Sequence, residues 1–279
     1  MSAPSAALVA RSPAPAGVRQ ALRAEWIKLR TVRSTMWSLL TLAGVSVLFT
    51  AIACWESETS GGSPGRPGDN DIVLDSLAGI WFGQIAAAVL AVLAITSEYS
   101  SRMIRTTLAA NPRRRTVLGT KTVVVGAVVA VVGLATSVTC FLLGQAILRS
   151  NGFTYENGYP AASLTDGPTL RAVAGSAAYL ALLATFSLGL AAVLRHTAGA
   201  ITTVLAVVLA PVIAIGFLPE NLSEPLEKFS LMGAGISIQQ TVERPDNIPL
   251  GPWAGLAVVS AYAAAALVVA LWTIRKRDA

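Results

Sequence analysis

Charge is scarce in this chain. Only 13% of its 279 residues are Asp, Glu, Lys or Arg, and it holds a single histidine, His196, and two cysteines, Cys54 and Cys140. Each shortage excludes some chemistry. One histidine, beside Arg195 in a short turn, leaves no imidazole to activate a serine inside an apolar segment. No His/Cys/carboxylate cluster has metal-ligand spacing. The two cysteines fall near or within apolar runs and read as packing residues, since only backbone geometry decides whether thiols can pair. No G-x-x-x-x-G-K-[ST] stretch occurs, so this chain does not cradle ATP phosphates in that manner. The expectation is a chain without catalysis, resident metal or cofactor of its own.

What is abundant is apolar length. At 54% hydrophobic and a mean hydropathy of +0.62, the composition is too apolar for a soluble domain of this size. Six runs, at 34–54, 76–96, 122–148, 172–194, 198–218 and 253–273, each approach or exceed the ~20 residues a helix needs to cross a bilayer. The connections sort by charge. Those on the side of the N-terminus carry 16 of the 21 Lys and Arg, and only Glu25, Glu98 and Asp278 among the acids. The opposite side carries Arg66, Arg149, Arg171, Lys228, Arg244 and the other 12 acids. Positive charge retained inside predicts an all-α, six-span protein of the plasma membrane with both termini cytoplasmic. The same sorting explains the pI of about 9.7 as topology, without a nucleic-acid partner.

The expected division is a disordered tail at 1–17, an amphipathic interfacial helix at 18–33, a six-span domain at 34–275 and a cytoplasmic tail at 276–279. Residues 1–17 are rich in Ala, Ser and Pro and lack the apolar core of a cleavable signal. Trp37, Trp55, Trp81, Tyr99, Trp253 and Trp272 mark span ends. No ionised residue lies near the middle of a run, which argues against a proton- or sodium-coupled carrier. Gln84, Thr136, Thr139, Gln145, Tyr179 and Thr185 are either pathway-lining groups or interhelical hydrogen-bonding groups, the second being the expectation for any one of them. Pro211 should kink the fifth run.

Two segments on the basic side have helical patterning. In 18–33, Val18, Leu22, Trp26 and Leu29 recur at helical spacing, flanked by Arg19, Arg23, Lys28, Arg30 and Arg33; such a helix lies along the membrane surface in contact with lipid and either only anchors the first span or also packs against a cytoplasmic partner. In 97–115, Ser100 or Ser101 caps a short helix whose Met103, Ile104, Thr107 and Leu108 share a face and which Asn111-Pro112 ends. That helix either docks into a groove on a soluble partner or rests on anionic lipid.

These two segments resemble those of type-2 ATP-binding-cassette (ABC) transporter permeases of high-GC bacteria. Glu25, Lys28, Leu29 and Thr31 match an E-x-x-K-L-x-[TS] pattern before the first span, and Glu98, Tyr99, Ile104 and Arg105 match an E-[YF] followed by a G-T-I-R-like run after the second. Arg102-Met103 stands where many members have Gly-Thr. The resemblance implies the permease subunit of an ATP-driven exporter, dimeric with itself or with a second permease, and bound to a separate ATPase subunit that uses the ATP. It assigns coupling to Glu98, Arg102, Met103, Ile104, Arg105 and Leu108, and an interfacial helix to Glu25, Trp26, Lys28, Leu29 and Arg30. It also implies short helices in 219–252 that cap the pathway on the outer side. A membrane scaffold that recruits cytoplasmic partners, or an ATP-independent carrier, are the alternatives.

Overall fold

A computed structural model describes residues 17–57, 71–100, 114–154, 156, 159, 162–242 and 250–277. Among them every regular element is helical: α1 (Val18–Thr31), α2 (Arg33–Glu56), α3 (Ile72–Ser76), α4 (Ile80–Ser100), α5 (Arg114–Ser150), α6 (Gly167–Leu194), α7 (Thr197–Ile215), α8 (Glu220–Phe229), α9 (Leu231–Ile236), a 3₁₀ turn (Ser237–Gln239) and α10 (Pro252–Arg277). Six of these, α2, α4, α5, α6, α7 and α10, are long and apolar enough to cross a membrane. The chain is an all-α, multi-pass membrane protein.

The element boundaries follow local chemistry. One extended residue, Val32 (φ −83°, ψ 117°), separates α1 from α2 and redirects the chain. Asp71 caps α3, its Oδ1 accepting from the amides of Val73 and Leu74 at 3.1 Å each. Arg195, at φ 55°, closes α6 in the left-handed region, and the one histidine then caps α7, with His196 Nδ1 accepting from Gly199 N at 3.1 Å. Pro211 does not end α7, which continues to Ile215.

Within a bilayer, apolar surface gains nothing by facing another helix rather than lipid, so close packing and hydrogen bonds must hold the bundle together. The helix α6 sits at its centre, against α4, α5 and α10. Of its apolar window 61% is buried, against 22% for α2, 17% for α7 and 22% for α10. The sparse burial of α2 has a simple form: Leu42, Ser46, Thr50 and Cys54, four residues apart, make one narrow stripe. That stripe meets the start of α4 and the turn before it where glycine permits contact, since a Cβ on Gly79 would lie 1.8 Å from Ser46 O and one on Gly83 2.0 Å from Ser46 Oγ. Both cysteines are free and buried, as packing residues would be.

Between α7 and α10 the chain folds back into the bundle. Ser230 caps α9, accepting from Gly233 N at 2.9 Å, and from Leu231 to Gln239 every residue except Gly233 is buried. The insertion depends on missing side chains: a Cβ on Gly235 would lie 2.0 Å from Tyr179 Cε2, and one on Gly255 1.9 Å from Ser237 Oγ. Short helices are the expectation for 219–252, and α8, α9 and the 3₁₀ turn occupy it.

Candidate functional site

Four charged side chains from three helices meet where α1, the end of α4 and the first turns of α5 converge. Lys28 Nζ donates to Glu25 Oε1 and to Glu98 Oε1, each at 2.9 Å. Lys121 Nζ donates to Glu25 Oε2 at 2.6 Å and to Glu98 Oε1 at 2.8 Å. Each lysine bridges both carboxylates, so the ring of two acids and two bases is electrically neutral. Three members are nearly enclosed, with side-chain exposures of 6% for Glu25, 7% for Glu98 and 5% for Lys121, while Lys28 retains 33%.

Sequence spacing accounts for half of this ring. Glu25 and Lys28 are three apart on α1 and therefore face the same way. With Leu22 and Leu29 they form the side of α1 that packs toward the bundle, where Glu25 and Leu29 are buried. Of the apolar face read in the sequence, Leu22 and Leu29 pack inward beside Glu25, while Val18 at 58% and Trp26 at 50% are exposed. Arg30 is exposed. Lys121 comes from α5, which is about 55 Å long at 1.5 Å per residue and overshoots a ~30 Å hydrocarbon core. Its eighth residue is thus placed near the membrane boundary beside Glu98. Burying four charges is tolerable only when each finds several partners, and here each lysine finds two. At Lys28 burial opposes the charge, but hydrogen bonds to Glu98 and Glu25 and their negative charges outweigh it, so its pKa is raised above 10.5.

Of the expected coupling residues, Glu98 belongs to this ring, whereas Arg102, Met103, Ile104, Arg105 and Leu108 lie outside the described residues. Glu98 and Lys121 stand on either side of that segment in the chain, so the ring fastens both flanks of the loop to α1. Nothing in the sequence singles out Lys121, because a lysine closing a run of arginines reads as topology. Its depth within an apolar helix, matching that of Glu98 across a hairpin, is the available signal. Beside the ring lies a cavity of about 270 Å³ bordered by α1, α2, α4 and α5.

A second polar cluster lies at the other end of the bundle. Tyr179 Oη donates to Gln84 Oε1, and Gln84 Nε2 donates to Trp81 O at 2.7 Å. Trp81 Nε1 donates to Gln239 Oε1 at 3.4 Å, and Gln239 Nε2 donates to Ser176 Oγ at 3.0 Å. Nearby, Asp71 accepts from Thr241 N at 2.6 Å, Thr241 Oγ1 at 2.7 Å and Val242 N at 3.1 Å. The glutamines and the tyrosine thus bond between helices: Gln145 Nε2 likewise donates to Ser76 Oγ at 3.3 Å, while Thr139 and Thr185 donate to carbonyls of their own helices. The cluster locks the folded-back segment to α4 and α6. Among the described residues no group of three or more His, Cys, Asp or Glu is placed to hold a metal ion. No protein-family model matches the chain, and no curated protein matches it with significance.

Proposed function

We propose that this chain is the membrane-spanning subunit of an ATP-driven exporter, working with a separate ATPase subunit that docks on the loop between α4 and α5. The observation that carries this reading is the ion-paired ring. Glu98 and Lys121 flank the loop on either side, and both are bound to Glu25 of α1 or to its neighbour Lys28. A push on the loop is therefore shared among α1, α4 and α5 as one body, which is what transmission from a soluble motor to a helical bundle requires. The segment Leu231–Gln239, packed into the opposite end, would close the route until the helices tilt. In this reading the charge-rich side carrying the N-terminus faces the cytoplasm, and the substrate passes among α4, α6 and α10, moved by helix motion with no chemistry performed on it.

The test is purification of the chain from its native membrane in mild detergent, with every co-purifying protein identified by mass spectrometry. The reading expects a tightly bound, soluble ATPase whose hydrolysis responds to this chain. Recovery of a well-folded chain with no nucleotide-hydrolysing partner, together with transport in its absence, would favour an ATP-independent carrier.

A further inference from the structure

The cavity beside the ion-paired ring has the chemistry of a headgroup site. Some hydroxyls on these helices, among them those of Thr31, Thr96 and Thr122, donate back to a carbonyl four residues earlier. The hydroxyls of Ser34, Thr35 and Ser38 make no hydrogen bond among the described residues, and all three line this cavity. No side chain caps the first turn of α2, so its amides add a partial positive charge at the same place. Lys28 also lines the cavity and uses two of its three N–H groups within the ring, leaving one for a ligand. On the other wall stands Glu98, itself 5% exposed, whose Oε2 is buried without a hydrogen-bond partner. Leaving such an oxygen unsatisfied is costly; it is enclosed in this structure, so an N–H donor in the cavity reaches it by rotation of the carboxylate. The remaining lining, including Leu90, Leu93 and Ala94, is apolar.

We propose that this cavity binds an aminophospholipid, with its phosphate held by the Ser34, Thr35 and Ser38 hydroxyls, the amino end of α2 and Lys28. Its primary ammonium donates to Glu98 Oε2, and the start of its acyl chains lies against Leu90, Leu93 and Ala94. Donors for an anion on one wall and a spare carboxylate oxygen on the other match a zwitterion. The apolar floor, at the height of an amphipathic helix, matches a lipid better than a soluble metabolite. Choline lipids, which have no N–H on the headgroup, lack the contact to Glu98.

The test is native mass spectrometry of the purified full-length chain, delipidated and titrated with phosphatidylethanolamine and phosphatidylcholine of identical acyl chains. Ethanolamine lipid should bind about tenfold more tightly, the worth of one charge-assisted hydrogen bond. The triple variant Ser34→Ala, Thr35→Val, Ser38→Ala should lose that binding at an unchanged unfolding temperature, and Leu93→Trp, which fills the floor, should lose it independently. Equal binding of the two lipids, or undiminished binding in both variants, would overturn the assignment. So would full displacement by an equal concentration of glycerophosphoethanolamine, which shares the headgroup but has no acyl chain.

Discussion

Glu98 Oε1 accepts from two lysines, and this doubling sets what its neighbours can tolerate. Removing Lys121 leaves two nearly enclosed carboxylates with the single, part-exposed Lys28. Breaking a buried pair from one side typically costs about 3–5 kcal/mol, so Lys121→Ala should lower unfolding stability in detergent by that amount. Losing both carboxylates and both lysines together should cost less than the sum of the single losses, because no unpaired charge remains. Lys28 supplies a pH prediction. Its folded pKa is raised above 10.5, so its contribution to stability is complete below that value and is lost as the pH rises through the raised one. Thermal unfolding followed from neutral to strongly alkaline pH should therefore show a loss above about pH 10.5 that Lys28→Gln reduces. Glu25, Lys28 and Glu98 are singled out in the sequence by a resemblance to family patterns, but their meeting is not. Lys121 is not, since charge counting assigns every lysine near a membrane boundary the same task.

At the scale of elements, the folded-back segment Leu231–Gln239 rests on two devices, absent side chains and a hydrogen-bonded cluster. Gly235→Ala places a methyl group 2.0 Å from a Tyr179 ring carbon. Overpacking of this kind costs about 1–3 kcal/mol, and truncating Tyr179 in the same chain should return part of it, which an unfolding comparison of the two variants measures. Tyr179→Phe alone should cost about 1–3 kcal/mol, because Gln84 Oε1 loses its buried donor. A helical span is legible in sequence because length and apolarity suffice to specify it. A segment such as Leu231–Ile236, six residues long, has no periodicity to read, and its place depends on glycines whose partners are far away in the chain. The inward turn of Glu25 is hidden for a related reason: a buried glutamate reads as polar until its partner from α5 is known.

The whole molecule is a bundle with one well-covered centre, α6, and three sparsely covered helices, α2, α7 and α10. Their outward residues, such as Trp37 at 69%, Ile213 at 64% and Val268 at 64% exposed, belong against lipid or a second subunit. Charge sorting predicts which way the bundle sits. Because both native cysteines are buried, single cysteines introduced at exposed Arg19 and Thr165 report topology cleanly. A membrane-impermeant thiol reagent added to intact cells should label Thr165→Cys and leave Arg19→Cys unlabelled. The six spans are legible from hydropathy, because the bilayer asks only length and apolarity of a crossing helix. The meeting of α1 with the two flanks of one loop is not, since it exists only once the helices are packed. The most direct measurement on that meeting is ATP hydrolysis by the purified chain together with the ATPase subunit proposed for it, with Lys121→Met compared with the unaltered chain at a temperature where both remain folded and assembled. A ring that transmits force predicts a fall of about tenfold, within the usual range of coupling between distant sites. An unchanged rate from an intact complex would contradict it.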